Sequence, residues 1–285
     1  MNPEFIKSID RIITLALKED IDHGDITTNI FVPKNMVSKA YMILHEKATV
    51  AGFDAVKQVF KRLDKNVIVR PLFKEGDIVN KEEKLVEIKG KTRALLTGER
   101  VALNFLSHLS AIATNTTAFI QKISPCDVQI VDTRKTTPGL RLLEKKAIRC
   151  AKGVNHRLHL NEMILIKDNH HLVSHCSITE MIKKARKKTT KPIGIEVETM
   201  KDFKEAWVAK PNLILLDNMT IPEIKKIMTF VSSNNLRAPK PIIEVSGGIT
   251  LKNIRSFVKT GITRISIGAL THSKKTVNIS MEIVP

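Results

Sequence analysis

The chain has 285 residues, 42% of them hydrophobic and 27% charged, with 12 Gly and 11 Pro. This usage excludes a collagen-like or disordered chain and leaves room for one large domain or two modest ones. Lys and Arg number 47 against 29 acids, a formal charge of +18, which favours anionic partners: nucleic acid, a membrane surface or phosphorylated small molecules. The single Trp and the single Tyr lie outside any basic cluster, which weakens the stacking platform that single-strand binders use.

From the N-terminus, Ile6, Ile9, Ile12, Ile13, Ala16 and Leu17 recur at helical spacing after Pro3, predicting an amphipathic first helix rather than a signal peptide. No apolar run reaches membrane-spanning length. Residues 19–28 read as an acidic turn. Strands are expected at 39–45 and 67–71, with a helix between them over 53–63. The alternation from Leu72 to Ile88 reads as a hairpin of scaffold type, and a long helix is expected from Thr92 to about Ile123, where Leu95, Leu96, Ala102, Leu103, Leu106 and Leu109 follow three and four spacing. A boundary between residues 1–112 and 113–285 is placed within that helix, with the C-terminal segment free to pack back on the N-terminal domain. Cys126, Cys150 and Cys176 form no CxxC pair, and their odd number points away from a disulfide framework and toward a reducing cytoplasm.

After Asp127 short apolar runs recur at 128–131, 163–166, 193–195, 213–216, 242–245 and 265–267, each ending in a polar or charged cluster. Helical stretches at 178–188, 201–209, 222–232 and 251–259 separate the later ones. Buried strands alternating with amphipathic helices imply a parallel sheet with right-handed crossovers, and six units suggest an α/β barrel or partial barrel. Chemistry in such barrels collects at the C-terminal strand ends.

Those ends hold a distinctive set. Arg134, Lys135, His156, Arg157 and Lys167 would converge on one mouth, an arrangement that is costly without an anion and suited to a dicarboxylate or polyphosphate. A solvated basic rim would explain one such run better than five cations at successive strand ends. Glu196 and Asp217 end neighbouring runs and could hold Mg²⁺, although pairing with Lys167 or helix capping is the bland alternative. Ser246, Gly247 and Gly248, and Gly268 with Ala269 after Ile267, offer backbone N–H groups to a phosphate, or simply make tight turns. His170, His171, His175 and Cys176 lack a zinc spacing and read as solvated or hydrogen-bonding groups.

Taken together, the segments 19–28 (EDIDHGDITT), 96–104 (LTGERVALN), 132–141 (DTRKTTPGLR), Asn155-His156-Arg157, 165–170 (LIKDNH), 216–219 (LDNM), Ser246-Gly247-Gly248-Ile249 and 268–273 (GALTHS) closely resemble the quinolinate phosphoribosyltransferase family, in order along nearly the whole chain. The resemblance implies an N-terminal α/β sandwich domain followed by an open, incomplete α/β barrel, assembled as a homodimer or homohexamer with active sites shared between subunits. It implies joining quinolinate to phosphoribosyl pyrophosphate, giving nicotinate mononucleotide, pyrophosphate and CO₂ with Mg²⁺ in NAD biosynthesis. By that pattern Arg134, Lys135, His156, Arg157 and the partner's Arg100 hold the quinolinate carboxylates, with Thr133 beside them. Lys135 and Lys167 reach the substrates, Glu196 and Asp217 serve Mg²⁺ and the ribose hydroxyls, and Ser246, Gly247, Gly248, Ile267, Gly268 and Ala269 surround the 5′-phosphate. Neither nucleic acid nor membrane is expected as a partner. The competing readings are a phosphoribosyltransferase for another pyridine-like substrate and a basic nucleic-acid-binding protein.

Overall fold

The computed structural model describes residues 3–234 and 239–284. In chain order its elements are α1 (Pro3–Ile21), α2 (Ile26–Phe31), β1 (Val37–Leu44), β2 (Ala48–Thr49), α3 (Phe53–Leu63), β3 (Ile68–Pro71), β4 (Ile78–Val79), β5 (Lys84–Lys91), α4 (Thr92–Ile123), β6 (Gln129–Val131), α5 (Arg141–Cys150) and β7 (Ile164–Ile166). They continue with α6 (Asp168–Ser174), α7 (Ile178–Lys188), β8 (Ile193–Val197), α8 (Met200–Ala209), β9 (Leu213–Asp217), α9 (Ile221–Ser233), β10 (Ile242–Ser246), α10 (Ile254–Val258), β11 (Arg264–Ser266), α11 (Ala269–His272) and β12 (Ile279–Val284). Two compact units emerge: Met1–Thr117 with Thr136–Lys152 and Leu270–Pro285, and Ala118–Lys135 with Gly153–Ala269. No single cut in the chain separates them. Among the described residues no helix is long and apolar enough to cross a membrane.

The first unit is built on an antiparallel sheet of order β12-β1-β5-β3. Along β1 the side chains alternate in burial, with Ala40, Met42 and Leu44 fully inside, as expected where one face of a sheet covers a core. The apolar stripe of α1 buries Ile9, Ile13 and Leu17, and α3 buries Phe53, Val56, Val59 and Phe60. Side chains rather than a local cap finish the start of α3. The Glu75 carboxylate accepts from the backbone N–H groups of Gly52 (3.1 Å) and Phe53 (3.0 Å), satisfying donors that a helix start leaves open. Lys146 on α5 pairs with Asp54 and, at 3.5 Å, with Glu75. Burial and the neighbouring Glu75 charge push the Cys150 thiol up to about 11. Gly76 lies against this cluster at φ +93°, where a Cβ would come within 2.2 Å of the Cys150 carbonyl oxygen; only glycine fits.

The expected hairpin over 72–88 does not form. Its first half, β4, pairs with β2, whereas β5 lies between β1 and β3. Two residues are too few to run along an eight-residue strand, and β5 matches β1 over nearly its full length, so its inward side chains are buried there instead.

The second unit is a six-stranded parallel sheet of order β6-β11-β10-β9-β8-β7. The strands β6 and β7 stand at the two ends of that order and do not pair with each other as strands, so the barrel is open. Among the described residues one isolated bridge, Val131 to Val154, extends the β6 edge. Central strands are buried on both faces, β9 almost throughout, as crossover helices on a parallel sheet require. Three crossover helices start on side-chain caps: Ser177 with Glu180 for α7, Thr199 with the Asp202 N–H for α8, and Thr220 with Glu223 for α9. Those pairs lie three residues apart in the sequence, which is the spacing a helix start needs. The expected helix over 251–259 shrinks to the five residues of α10, because 250–253 form a turn in which Thr250 N donates to Asn253 Oδ1 at 2.8 Å.

Candidate active site

The C-terminal ends of β7, β8 and β9 carry Lys167, Glu196 and Asp217. Strand register explains their meeting: Ile166 pairs with Ile195, so the next residues, Lys167 and Glu196, are side by side, and Glu196 pairs with Leu215, which shares a face with Asp217 two positions on. Lys167 Nζ donates to Glu196 Oε2 at 2.6 Å, and the Glu196 side chain is 7% exposed. Burial nevertheless holds the Glu196 carboxyl above the usual range; the Lys167 ammonium opposes that rise, while the Asp217 and Asp168 charges add to it. Asp217 Oδ2 accepts from Asn218 Nδ2 at 2.8 Å. The ends of β7 and β8 open into a cavity of about 330 Å³ lined by Lys167, Asp168, His171, Glu196, Glu198 and Asp202. Residues 168–174 form helix α6, and His170 Nδ1 accepts from the Lys167 N–H at 3.0 Å.

At the opposite edge, the segment after β6 is organised by Asp132, which is fully buried. Its carboxylate accepts from Asn155 Nδ2 (2.5 Å) and His156 N (2.8 Å), tying the strand end at Thr133, Arg134 and Lys135 to the loop at 155–157. Thr133 Oγ1 accepts from Lys135 N at 3.1 Å. Arg157 donates through Nη1 to the Met163 carbonyl at 2.8 Å. Burial first, and then the positive Arg134 beside it, lowers the proton affinity of Arg157. Positive charge concentrated around Arg157 in this way favours a nearby anion.

Glycine geometry shapes the β10 and β11 ends. Ser246 pairs with Asp217, and its carbonyl accepts from Asn218 N at 3.0 Å. Gly247, at φ +97°, passes so close to Asn218 that a Cβ would lie 2.1 Å from Asn218 Oδ1, while Gly248 at φ +60° faces open space. The first glycine is required by packing and the second by backbone conformation. Ile267 is buried and donates from N to the Val131 carbonyl at 2.9 Å; Gly268 and Ala269 lead directly into α11. Arg100 stands on α4 in the first unit, exposed, in a cleft of about 460 Å³ with Leu103, Asn104, Ser107, His108 and residues 276–279.

Sequence reasoning assigned no role to the buried pair inside the barrel. Glu244, fully buried on β10, accepts from Arg264 Nε on β11 at 2.5 Å, and Arg264 Nη1 reaches Gln129 Oε1 on β6 at 3.0 Å. The available signal was an acid inside the apolar run Ile242-Ile243-Glu244-Val245, since an acid in a strand buried on both faces requires a partner.

Family models for the quinolinate phosphoribosyl transferase N-terminal domain and C-terminal domain match residues 25–110 and 112–282. The chain belongs to the quinolinate phosphoribosyltransferase family. Among its relatives is a probable nicotinate-nucleotide pyrophosphorylase [carboxylating] of Bacillus subtilis, 40% identical over 96% of this chain and 93% of that one. The nicotinate-nucleotide pyrophosphorylase [carboxylating] of Mycobacterium leprae is 35% identical over 95% of both. The solved nicotinate-nucleotide pyrophosphorylase of Francisella tularensis superposes with a TM-score of 0.89 at 33% identity, over 98% of this chain and 96% of its own. In family terms the antiparallel sheet of the first unit and the open parallel barrel of the second are the expected N- and C-terminal architectures.

Proposed function

We propose that this chain is a carboxylating nicotinate-nucleotide pyrophosphorylase, transferring phosphoribosyl from phosphoribosyl pyrophosphate to quinolinate and releasing pyrophosphate and CO₂ in NAD biosynthesis. The observation that carries this reading is the strand-end arrangement, in which Arg134 lies within electrostatic reach of Arg157 while Lys167, Glu196 and Asp217 end the neighbouring strands β7, β8 and β9, on a chain of this family. Arg134, Lys135, His156 and Arg157 form the clamp for the two quinolinate carboxylates, with Thr133 at its edge. Ser246, Gly247, Gly248, Ile267, Gly268 and Ala269 take the 5′-phosphate.

As pyrophosphate leaves, positive charge grows at the ribose and negative charge on the departing oxygens. Glu196 and Asp217 face the first, and Lys167 answers the second. Loss of CO₂ from the alkylated ring needs no protein base, because the pyridinium nitrogen stabilises the adjacent carbanion, which then takes a proton from water. Positioning and electrostatics therefore supply the catalysis. The carboxylates of Glu196 and Asp217 also fit Mg²⁺, which binds through one or two carboxylates together with substrate phosphates and water. Among the described residues no group of three or more His, Cys, Asp or Glu could hold a metal, so an ion here would complete its shell from substrate oxygens. The chemistry it supplies when bound is charge neutralisation on the leaving pyrophosphate.

Arg100 completes the clamp from a second copy of the chain, in a homodimer or homohexamer working in the cytoplasm. Support for this comes from its exposure on α4, in a cleft that contains none of the strand-end residues. Incubating the protein with quinolinate, phosphoribosyl pyrophosphate and Mg²⁺ should give nicotinate mononucleotide and CO₂ in equal amounts. Turnover of nicotinate instead, or tight duplex binding with no nucleotide formed, would overturn the reading.

A further inference from the structure

Helix α2 has the reverse of the polarity that a helix covering its own core requires. Its three large apolar side chains point outward, Ile26 75%, Ile30 67% and Phe31 78% exposed, and the residue it buries is Thr28. Six residues do not hold as a helix by themselves; polar bonds fix this one. Asp25 Oδ1 accepts from Thr28 N at 2.9 Å and Asp25 Oδ2 from Thr97 Oγ1 at 3.0 Å. Arg93 donates through Nε to the Val32 carbonyl (2.8 Å), through Nη1 to Asn29 Oδ1 (2.9 Å) and through Nη2 to the Asn29 carbonyl (3.1 Å). Arg93 and Thr97 both stand on α4, so α2 is fastened to that helix as a rigid knob, and Arg100 follows Thr97 within one turn. Apolar groups held outward in this way mark a contact surface.

The second unit carries a hollow of matching character. Leu160, Ile164, Val173 and Met181 line a groove of about 540 Å³ beside the edge strand β7, with Arg157, Lys184 and Lys188 also on its walls. Leu160 and Val173 are themselves 66% and 74% exposed. Charge matches as well: Glu19, Asp20, Asp22 and Asp25 immediately precede α2, whereas among the described residues the groove is lined by cations and by no carboxylate. We propose that α2 of one copy seats Ile26, Ile30 and Phe31 in the β7 groove of a second copy, and that a two-fold axis makes this contact twice. The link to catalysis rests on the quinolinate reading. Arg157 of the clamp lines the groove, and Arg100 shares α4 with the anchors of α2, so seating the knob brings Arg100 of one chain toward the clamp of the other.

The test sets repulsive charges against compensating ones in the full-length protein. Ile30→Lys places a cation against the groove's lysines, and Val173→Glu places an acid against residues 19–25; both positions are exposed, so each variant should fold. Sedimentation at micromolar concentration should show an assembly of wild-type chains and a smaller species for each variant alone. Mixing the two variants in equal amounts should restore the wild-type assembly. In a mixed pair one contact joins the two introduced charges and the other is wild type on both sides. A monomeric wild type overturns the proposal, as does a mixture that fails to reassemble. Ile30→Lys dissociated with Val173→Glu unaltered also overturns it, because α2 then meets something other than the groove. If either variant does not fold, hydrogen exchange of wild type decides: amides of 26–31 and of 172–181 should both lose protection on dilution, and no change at either segment sinks the docking. In parallel each variant alone should lose roughly tenfold to hundredfold in kcat/KM for quinolinate, the scale of a charge-assisted bond to Arg100, and regain it on mixing. A wild-type protein that makes no nucleotide from quinolinate refutes the proposed function instead and leaves the sedimentation result standing.

Discussion

Two buried glutamates show how this chain treats charge in different places. Glu144 on α5, in the first unit, is fully buried, yet its carboxyl lies below the ordinary value of 4.5: burial pushes it up, and hydrogen bonds from His108 Nε2 (2.8 Å) and the Thr137 N–H (3.3 Å) outweigh that push. Glu196 is nearly as buried, has a 2.6 Å bond from Lys167, and lies above 4.5 because burial and two further carboxylates win. One site is satisfied by its own fold. The other retains unbalanced charge, which is what a site that must receive a charged ligand retains.

The sharpest way to break that comparison is to test whether the strand-end site is completed by a second chain. Arg100→Ala and Lys167→Ala should each be nearly inactive. Refolded together, they should recover roughly a quarter of wild-type activity, because about half of the randomly paired dimers are mixed and each mixed dimer has one intact site of two. No recovery, with mixed dimers shown to be present, would place the whole site in one chain.

Glu196→Gln tests the unbalanced charge directly. It should lower kcat/KM on the order of 10²- to 10³-fold and leave the melting temperature equal to or above wild type, since it removes a carboxylate that the folded state holds reluctantly. An ionised Glu196 disfavours the fold at neutral pH, and the cost fades as pH falls through its raised value toward 4.5. The stability gain of Glu196→Gln should therefore shrink on acidification. Asp217→Asn should raise the Mg²⁺ needed for half-maximal rate and leave KM for quinolinate nearly intact.

Somewhat smaller effects are expected at the clamp. Arg134→Ala and Arg157→Ala should each lower kcat/KM for quinolinate roughly tenfold to hundredfold, the scale of a charge-assisted bond; unchanged quinolinate kinetics in both would remove the clamp from the mechanism.

At Glu144 the expected change is in stability rather than chemistry. Glu144→Gln should cost about 1.5–3 kcal/mol, read as a melting temperature lower by several degrees. The Glu144 contribution is complete above pH 4.5 and is lost as pH falls through its lowered folded value. The acid limb of a pH–stability curve should accordingly flatten in the variant below 4.5, and an unchanged limb would show that the carboxylate is not held by its hydrogen bonds.

Much was legible locally. Helices at Phe53–Leu63, Thr92–Ile123 and Ile178–Lys188 stand where their apolar spacing puts them, because a 3.6-residue stripe and a cap three residues from its partner are properties of adjacent positions. The six parallel strands were equally visible as apolar runs, and the polar residues that end them marked the mouth. The shortest helices were not: α2 and α6 have six and seven residues, too little periodicity to separate from polar loops, and α6 draws its start from the Lys167–His170 contact.

What the sequence by itself determined, then, is the alternation of buried strands and amphipathic helices, the resemblance that names the family, and the set of charged residues at the strand ends. Tertiary structure alone decided which strand β4 takes as partner, that the returning C-terminal segment forms β12 and pairs with β1, and that Glu244 meets Arg264. Pairing and burial are set by residues far apart in the chain, 20 positions for Glu244 with Arg264 and 36 for His108 with Glu144. A carboxyl's proton affinity depends on those distant partners rather than on its neighbours in sequence, so Glu144 and Glu196 look alike until the chain is folded.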